Sequence, residues 1–400
     1  MKHTNLLGVE PNWKGLLKSI MNFEFSGDQL SFRDYVRQFL ADQCPLSLVR
    51  DIFETDKMYA DNLWQQITKL GWTAVTIPEE YGGLGLGQLE LCIIAEQLGR
   101  VLAPIPFSSS VYLATDLLNN FGTKRLKERY LPQFAKQGLI GTVAIGEHTG
   151  QFIPGANSLL DTYVDNGKVY GCKLPVADGL IADVAIVMAA SAKNSNCNKL
   201  YLVELNQQSV LKTPLACIDP SRNAAKISFS GAEAMPLTTS QSAAIQLQNT
   251  YERAAVAIAF EQLGGAEAAF NTSKDYALQR YTFGRVIASY QGMRNKLVDI
   301  YTDITLARGN CYFGAWAASV DDDELPLAAA AARISSSKAY YHASKENIQI
   351  HGGMGYTWKM DCHFHYRRAK WLAVLFGSER YWKNHLVNQL SNKVIDSRER

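Results

Sequence analysis

Apolar positions recur at three- and four-residue steps near both ends of the chain and alternate more tightly in the middle. From Asp28, Leu30, Phe32, Tyr35, Val36 and Phe39 keep helical spacing. Leu63, Ile67 and Leu70 mark one face of a second helix between Asp61 and Leu70. A further helix is predicted over Gln88–Arg100, closed by Pro104 and Pro106, and the helical pattern continues to about Gln137. Near Gly138 the period changes. Thr142–Gly146, Thr162–Tyr170, Asp183–Ala190, Lys199–Glu204, Val210–Cys217 and Ala225–Ser230 read as short strands, with Asp165-Asn166-Gly167 as a hairpin turn, because Asn-Gly supplies the positive φ angles of a type I′ turn. Helical spacing returns from about Ser240. Leu297, Ile300, Ile304, Ala307 and Cys311 form the stripe of a bundle helix, and the alanine-rich Leu327–Ile350 stops at Gly352-Gly353.

These patterns predict an α+β chain in four parts: an N-terminal extension (1–20), an N-terminal helical domain (21–140), a central antiparallel β domain (141–235) and a C-terminal helical domain (236–400). No internal repeat or low-complexity linker stands out. Forty basic and 38 acidic residues leave a formal charge of +2, which argues against nucleic acid or an anionic membrane as the main partner. No apolar run approaches the ~20 residues of a membrane span. The first residues lack the apolar core of a secretory leader, and seven scattered cysteines without a CxxC point to free thiols, so a cytoplasmic location is expected.

Tyr251–Gln291 carries the candidate chemistry. Glu261 is an acid inside the otherwise uncharged run Ala254–Gly265. A buried carboxylate costs several kcal/mol unless it is paired or protonated, so Glu261 is either part of a site or a helix-face residue turned to water. His351-Gly352-Gly353-Met354-Gly355-Tyr356 is either a plain helix cap or a place where backbone approaches a ligand. Cys362, His363 and His365 crowd together without a fourth ligand, so packing is expected there and not a metal.

Four stretches in order carry a family resemblance: Pro78-Glu79-Glu80-Tyr81-Gly82-Gly83-Leu84-Gly85, Glu96-Gln97-Leu98-Gly99-Arg100, Arg280-Tyr281-Thr282-Phe283-Gly284 with Gln291, and Gln349–Tyr356. Over roughly residues 25–390 the chain resembles the acyl-CoA dehydrogenases. Gly355–Trp358 and Tyr366-Arg367-Arg368-Ala369-Lys370 look most like the bacterial branch acting on long, branched or sterol-side-chain acyl-CoAs. The resemblance implies a C-terminal four-helix bundle, bound FAD, an acyl-CoA substrate, an electron-transferring flavoprotein as acceptor, and a homo- or hetero-tetramer. It implies that Arg280 meets the FAD pyrophosphate, that Phe283 and Gln291 line its adenosine half, and that Gln349 and Gly353 reach the FAD of a neighbouring subunit. It also implies α,β-dehydrogenation, in which a carboxylate removes the α-proton.

At the two positions where the family carries that base, this chain has Phe376 and Ala254. Glu261, two helical turns beyond Ala254 on the same face, is the expected base. Glu252, a turn too early on another side, and Glu379 are the fallbacks. Pro175 and Ala177 stand where tryptophan and threonine usually pack on the flavin. Two further readings remain open: a non-catalytic subunit that lends half a flavin site to a paralogue, and a flavin oxidase of the same fold.

Overall fold

The structure is a computed structural model that describes residues 25–147, 160–193, 195–238 and 242–399, with side chains through Ser391. The expected N-terminal extension lies outside the described residues. Helices α1 (Gly27–Gln43), α2 (Leu46–Glu54), α3 (Asp61–Lys69) and α4 (Gln88–Arg100) come first. Ser26 caps α1 in a capping box with Gln29, which satisfies two otherwise orphaned backbone N–H groups. After α4 the chain runs through a π-helical segment, Ser108–Thr115, into α5 (Asp116–Phe121) and α6 (Lys124–Lys136).

The sheet comprises β1 (Gly141–Ala144), β2 (Tyr163–Asp165), β3 (Lys168–Ala177), β4 (Val184–Ala190), β5 (Asn198–Glu204), β6 (Val210–Leu215), β7 (Ala224–Glu233) and β8 (Met235–Pro236). The order is β6-β7-β3-β2-β4-β5-β8, with β1 also paired to β4. The β2–β3 hairpin turns at Asn166 (φ 47°) and Gly167 (φ 74°), opposing Asp165 to Lys168 as the Asn-Gly signal predicts. The sheet is mixed and not purely antiparallel: β1 and β2 both run parallel to β4. Strand pairing between distant segments leaves no trace in the alternation of a single strand, and β4, buried at every position, has neighbours on both sides.

The C-terminal part holds α7 (Ala243–Gln279), a two-strand ribbon β9 (Tyr281–Thr282) and β10 (Arg285–Val286), α8 (Gln291–Ser319), α9 (Leu325–His351), α10 (Cys362–Val374) and α11 (Glu379–Glu399). Among the described residues no helix is long and apolar enough to cross a membrane.

Helix α7 crosses α4 at very close range. A Cβ on Gly99 would lie 1.8 Å from the Glu261 carbonyl oxygen, and one on Gly264 would lie 1.8 Å from that of Glu96. The contact is reciprocal because the same tetrapeptide stands on both helices: Glu96-Gln97-Leu98-Gly99 and Glu261-Gln262-Leu263-Gly264. Sequence reading alone passed over this repeat.

Gly99→Ala and Gly264→Ala are expected to destabilise the protein. The overpacking cost of about 1–3 kcal/mol falls on backbone atoms with no room to move, and it exceeds the roughly 1 kcal/mol that alanine gains over glycine inside a helix. Gly309→Ala on α8, where nothing lies within 4 Å of the new methyl, should be neutral or stabilising. Denaturant midpoints of the three variants check this. Equal effects at all three positions would mean that the crossing does not constrain the fold.

Candidate active site

A cavity of about 810 Å³ opens where the sheet meets the C-terminal helices. Its sheet side is apolar, built by Val143, Ile145, Pro175, Ala177 and Ala224, with Leu113 from the π-helical segment. The opposite side is made by α7 (Gln248, Tyr251), α10 (Trp371) and the loop Leu375–Ser378. Helix α11 closes it with Tyr381, Asn384, His385 and Asn388, an i, i+3, i+4, i+7 series that turns one polar face inward. Among the described residues, no aspartate or glutamate lines it.

The loop is held in an unusual backbone shape. Phe376 has φ 58° and Gly377 φ 109°, and a Cβ on Gly377 would meet the Tyr381 ring at 2.6 Å. The Phe376 ring lies 5.8 Å from that of Tyr251. Arg333, fully buried on α9, supports the loop from below by donating to the carbonyls of Leu372 and Leu375 and to Gln262 Oε1. Burial pushes its pKa down to about 9, against the attraction of Glu261.

Glu261 is buried but does not line the cavity. Tyr251 does, and Glu261 stands ten residues further along α7, about 15 Å at 1.5 Å per residue. Its carboxylate accepts from the Tyr112 hydroxyl at 3.4 Å and lies 3.7 Å from Arg368 Nη1. Arg368 binds Asp219 Oδ2 at 2.5 Å, Ser221 Oγ at 2.8 Å and the carbonyls of Leu102 and Ala103. Beside it, Arg222 pairs with Asp178 at 2.6 Å and with Ser108, while Ser109 also donates to Asp178. This buried network therefore joins the N-terminal helices, the sheet and the C-terminal helices. Burial raises the Glu261 pKa, opposed by Arg368, Arg222 and the Tyr112 bond. The expectation that Glu261 takes a substrate proton finds no support in this placement.

The fallback acids separate. Glu379 is exposed and pairs with Lys383 at 2.5 Å. Glu252 is buried directly behind the cavity wall. It accepts from Gln248 Nε2 at 2.6 Å and lies 3.1 Å from His385 Nε2, and both of those residues line the cavity. Glu252 lies on a different side of α7 from Ala254, as its helical phase implies, and that side meets α11.

Arg280, Phe283, Gln291, Gln349 and Gly353 are all exposed and far from full use within one chain. The Arg280 guanidinium has no partner among the described residues. Phe283, 93% exposed, sits at φ 50° on the tip of the β9–β10 turn. Gln349 and Gly353 flank His351, which stacks on Tyr276 at 4.1 Å between centroids. His363 stacks on Trp358 at 4.5 Å and His365 bonds the Tyr340 hydroxyl at 3.1 Å; among the described residues no group could hold a metal ion.

Sequence reasoning overlooked Asp178, Asp219, Arg222 and the three adjacent buried serines Ser108, Ser109 and Ser110. The serine run offered a signal, since consecutive hydroxyls in an apolar context need partners. In the sequence Arg368 stands out only as part of the Tyr366–Lys370 motif.

The cavity can take a planar aromatic cofactor. The rings of Tyr251, Trp371, Phe376 and Tyr381 line it, facing the apolar sheet side. Such a lining suits a flat ring system.

Comparison with known proteins agrees with this architecture. Residues 26–138 match the acyl-CoA dehydrogenase N-terminal domain and residues 244–390 match the acyl-CoA dehydrogenase C-terminal domain. The chain belongs to the acyl-CoA dehydrogenase family, a family of oxidoreductases. It is 28% identical to the acyl-CoA dehydrogenase IpdE2 of Mycobacterium tuberculosis, covering 91% of this chain and 96% of that protein. It is 24% identical to acryloyl-CoA reductase (NADH) of Anaerotignum propionicum, over 93% and 97% of the two chains. Butyryl-CoA dehydrogenase from Megasphaera elsdenii shares the fold with a TM-score of 0.83 at 21% identity, over 92% of this chain and 100% of that one.

The raised pKa of Glu261 yields a pH test. The folded chain holds that proton more tightly than the unfolded chain, whose value is near the ordinary 4.5. Its contribution is fully present below that value and is lost as pH rises through the folded pKa. Glu261→Gln stays neutral throughout. The melting temperature of the variant minus that of the parent should therefore climb as pH rises from 4, with an underlying slope of at most about 1.4 kcal/mol per pH unit. A pH-independent difference would show that Glu261 ionises alike in both states.

Proposed function

We propose that the protein carries out FAD-dependent α,β-dehydrogenation of an acyl-CoA thioester to the trans-2-enoyl-CoA, with an electron-transferring flavoprotein as the electron acceptor. The observation that carries this reading is the cavity between sheet and bundle, large enough for a flavin ring and an acyl thioester side by side. Bound FAD would supply the acceptor for the β-hydride. The chain's own part is placement. Pro175, Ala177, Val143 and Ile145 exclude water on one side, and Tyr251 and Phe376 confine the acyl chain on the other.

Arg280, Phe283, Gln291, Gln349 and Gly353 are proposed to hold FAD across a subunit boundary. A guanidinium matches pyrophosphate oxygens in forked geometry. The exposed Phe283, and Val298, Tyr301 and Leu306 on the outer face of α8, support assembly into a tetramer, since such apolar surface is usually covered. All seven cysteines are free, which supports a reducing, cytoplasmic setting.

A second reading is a non-catalytic subunit that shares FAD with a paralogue. It is favoured by the absence of a carboxylate from the cavity lining among the described residues and by Pro175 and Ala177 at the flavin side.

The protein purified alone is expected to be yellow. Arg280→Ala should raise the FAD dissociation constant about 10–100-fold, the loss of one charge-assisted bond of ~1.5–3 kcal/mol, read by flavin fluorescence. A colourless protein that gains flavin only when a paralogue is added would favour the second reading. Light scattering should show an oligomer. A monomer that holds flavin and turns over would defeat the cross-subunit assignment.

A further inference from the structure

The cavity has no carboxylate on its described walls, yet it has a histidine with one behind it. His385, on the inward face of α11, lies with Nε2 3.1 Å from Glu252 Oε1. Glu252 also accepts from Gln248 Nε2 at 2.6 Å, and Gln248 accepts from the Tyr381 hydroxyl at 3.2 Å. The His385 ring stacks parallel to that of Tyr381, with 6.0 Å between centroids and 10° between planes. The imidazole is thus held by Glu252 on α7 and by the ring of Tyr381 on α11. A carboxylate can only accept here, so it fixes the imidazole proton on Nε2 and leaves the Nδ1 lone pair as the acceptor. An imidazole oriented by a buried carboxylate is the arrangement a general base requires.

We propose that His385 is the proton acceptor of the reaction and that Glu252 is its positioning residue. This rests on the dehydrogenation reading above. The α-carbon–hydrogen bond of the acyl thioester breaks and its proton goes to His385 Nδ1. The electron pair left at the α-carbon becomes the α,β double bond as the β-hydrogen departs with its own pair, for which bound FAD would supply the acceptor. The thioester thus gives up two electrons, which FAD would take, and the imidazolium is stabilised by Glu252. The two positions at which the family carries its base, Ala254 and Phe376, are then free to be apolar.

The proton step can be read without turnover. A CoA thioester with sulfur at the β-position cannot lose a β-hydride, so deuterium uptake at its α-carbon in D2O reports the base alone. The analogue is made for whichever acyl-CoA bleaches the parent's flavin. His385→Asn should keep FAD content and analogue binding while α-exchange falls by about 10²–10⁴-fold, the usual worth of a general base. Glu252→Gln leaves the histidine in place, so it tests the pair even if His385→Asn folds poorly. It should slow exchange without weakening analogue binding, and Glu252→Asp should recover part of the rate. Glu261→Gln should exchange like the parent. Undiminished exchange in His385→Asn, or its loss in a folded Glu261→Gln, overturns the proposal while leaving the dehydrogenation reading intact. A flavin-loaded parent that is bleached by no acyl-CoA overturns that reading and this proposal with it.

Discussion

Two glycines at one helix crossing govern the arrangement of everything around the cavity. At Gly99 and Gly264 the backbones of α4 and α7 approach so closely that neither helix can rotate or slide by a residue without driving a carbonyl into a Cα. Packing this tight is an all-or-none match of surfaces and not a continuous one. It fixes the phase of α7, and the phase of α7 decides which of its acids face what. Glu261 is carried toward the N-terminal helices and Arg368. Glu252 and Gln248 are carried toward α11.

Polar groups consequently divide between two regions. The three-domain junction holds Arg222, Arg368, Asp178, Asp219 and Glu261 in a buried network, where Arg368 has several acceptors, Arg222 reaches Asp178 and Ser108, and burial raises the pKa of Glu261 against the pull of both guanidiniums. Removing one member leaves the others buried and unmatched, which is far more costly than never having had the network. The cavity, by contrast, takes its polar groups from α7, the Leu375–Ser378 loop and α11, and leaves the sheet side apolar. The junction holds the domains at fixed relative positions, and the cavity is the space that those positions leave.

Much of this was legible in the sequence. The Asn166-Gly167 turn, the short strand runs and the stripe of α8 follow local signals, which one segment carries by itself. The parallel pairing of β1 with β4 and the partners of Glu261 depend on segments far apart in the chain, and no local pattern encodes them. Counting turns from Ala254 puts Glu252 on another face of α7 but cannot tell what that face meets, because a helix of 37 residues packed on several neighbours has a different partner on each side. The apolar flanks of Glu261 left burial and a turn to water both open, and nothing near it in the chain named its partners.

The loop at Phe376 has a bearing on how the cavity wall can change over time. A bulky residue in the left-handed region costs on the order of 1–2 kcal/mol, and Arg333 and the close fit of Gly377 against Tyr381 hold it there. The dihedral is thus imposed by the surroundings and is indifferent to the side chain it displays. A loop of this kind is a fixed socket, and its occupant can be exchanged without rebuilding the scaffold that sets its direction.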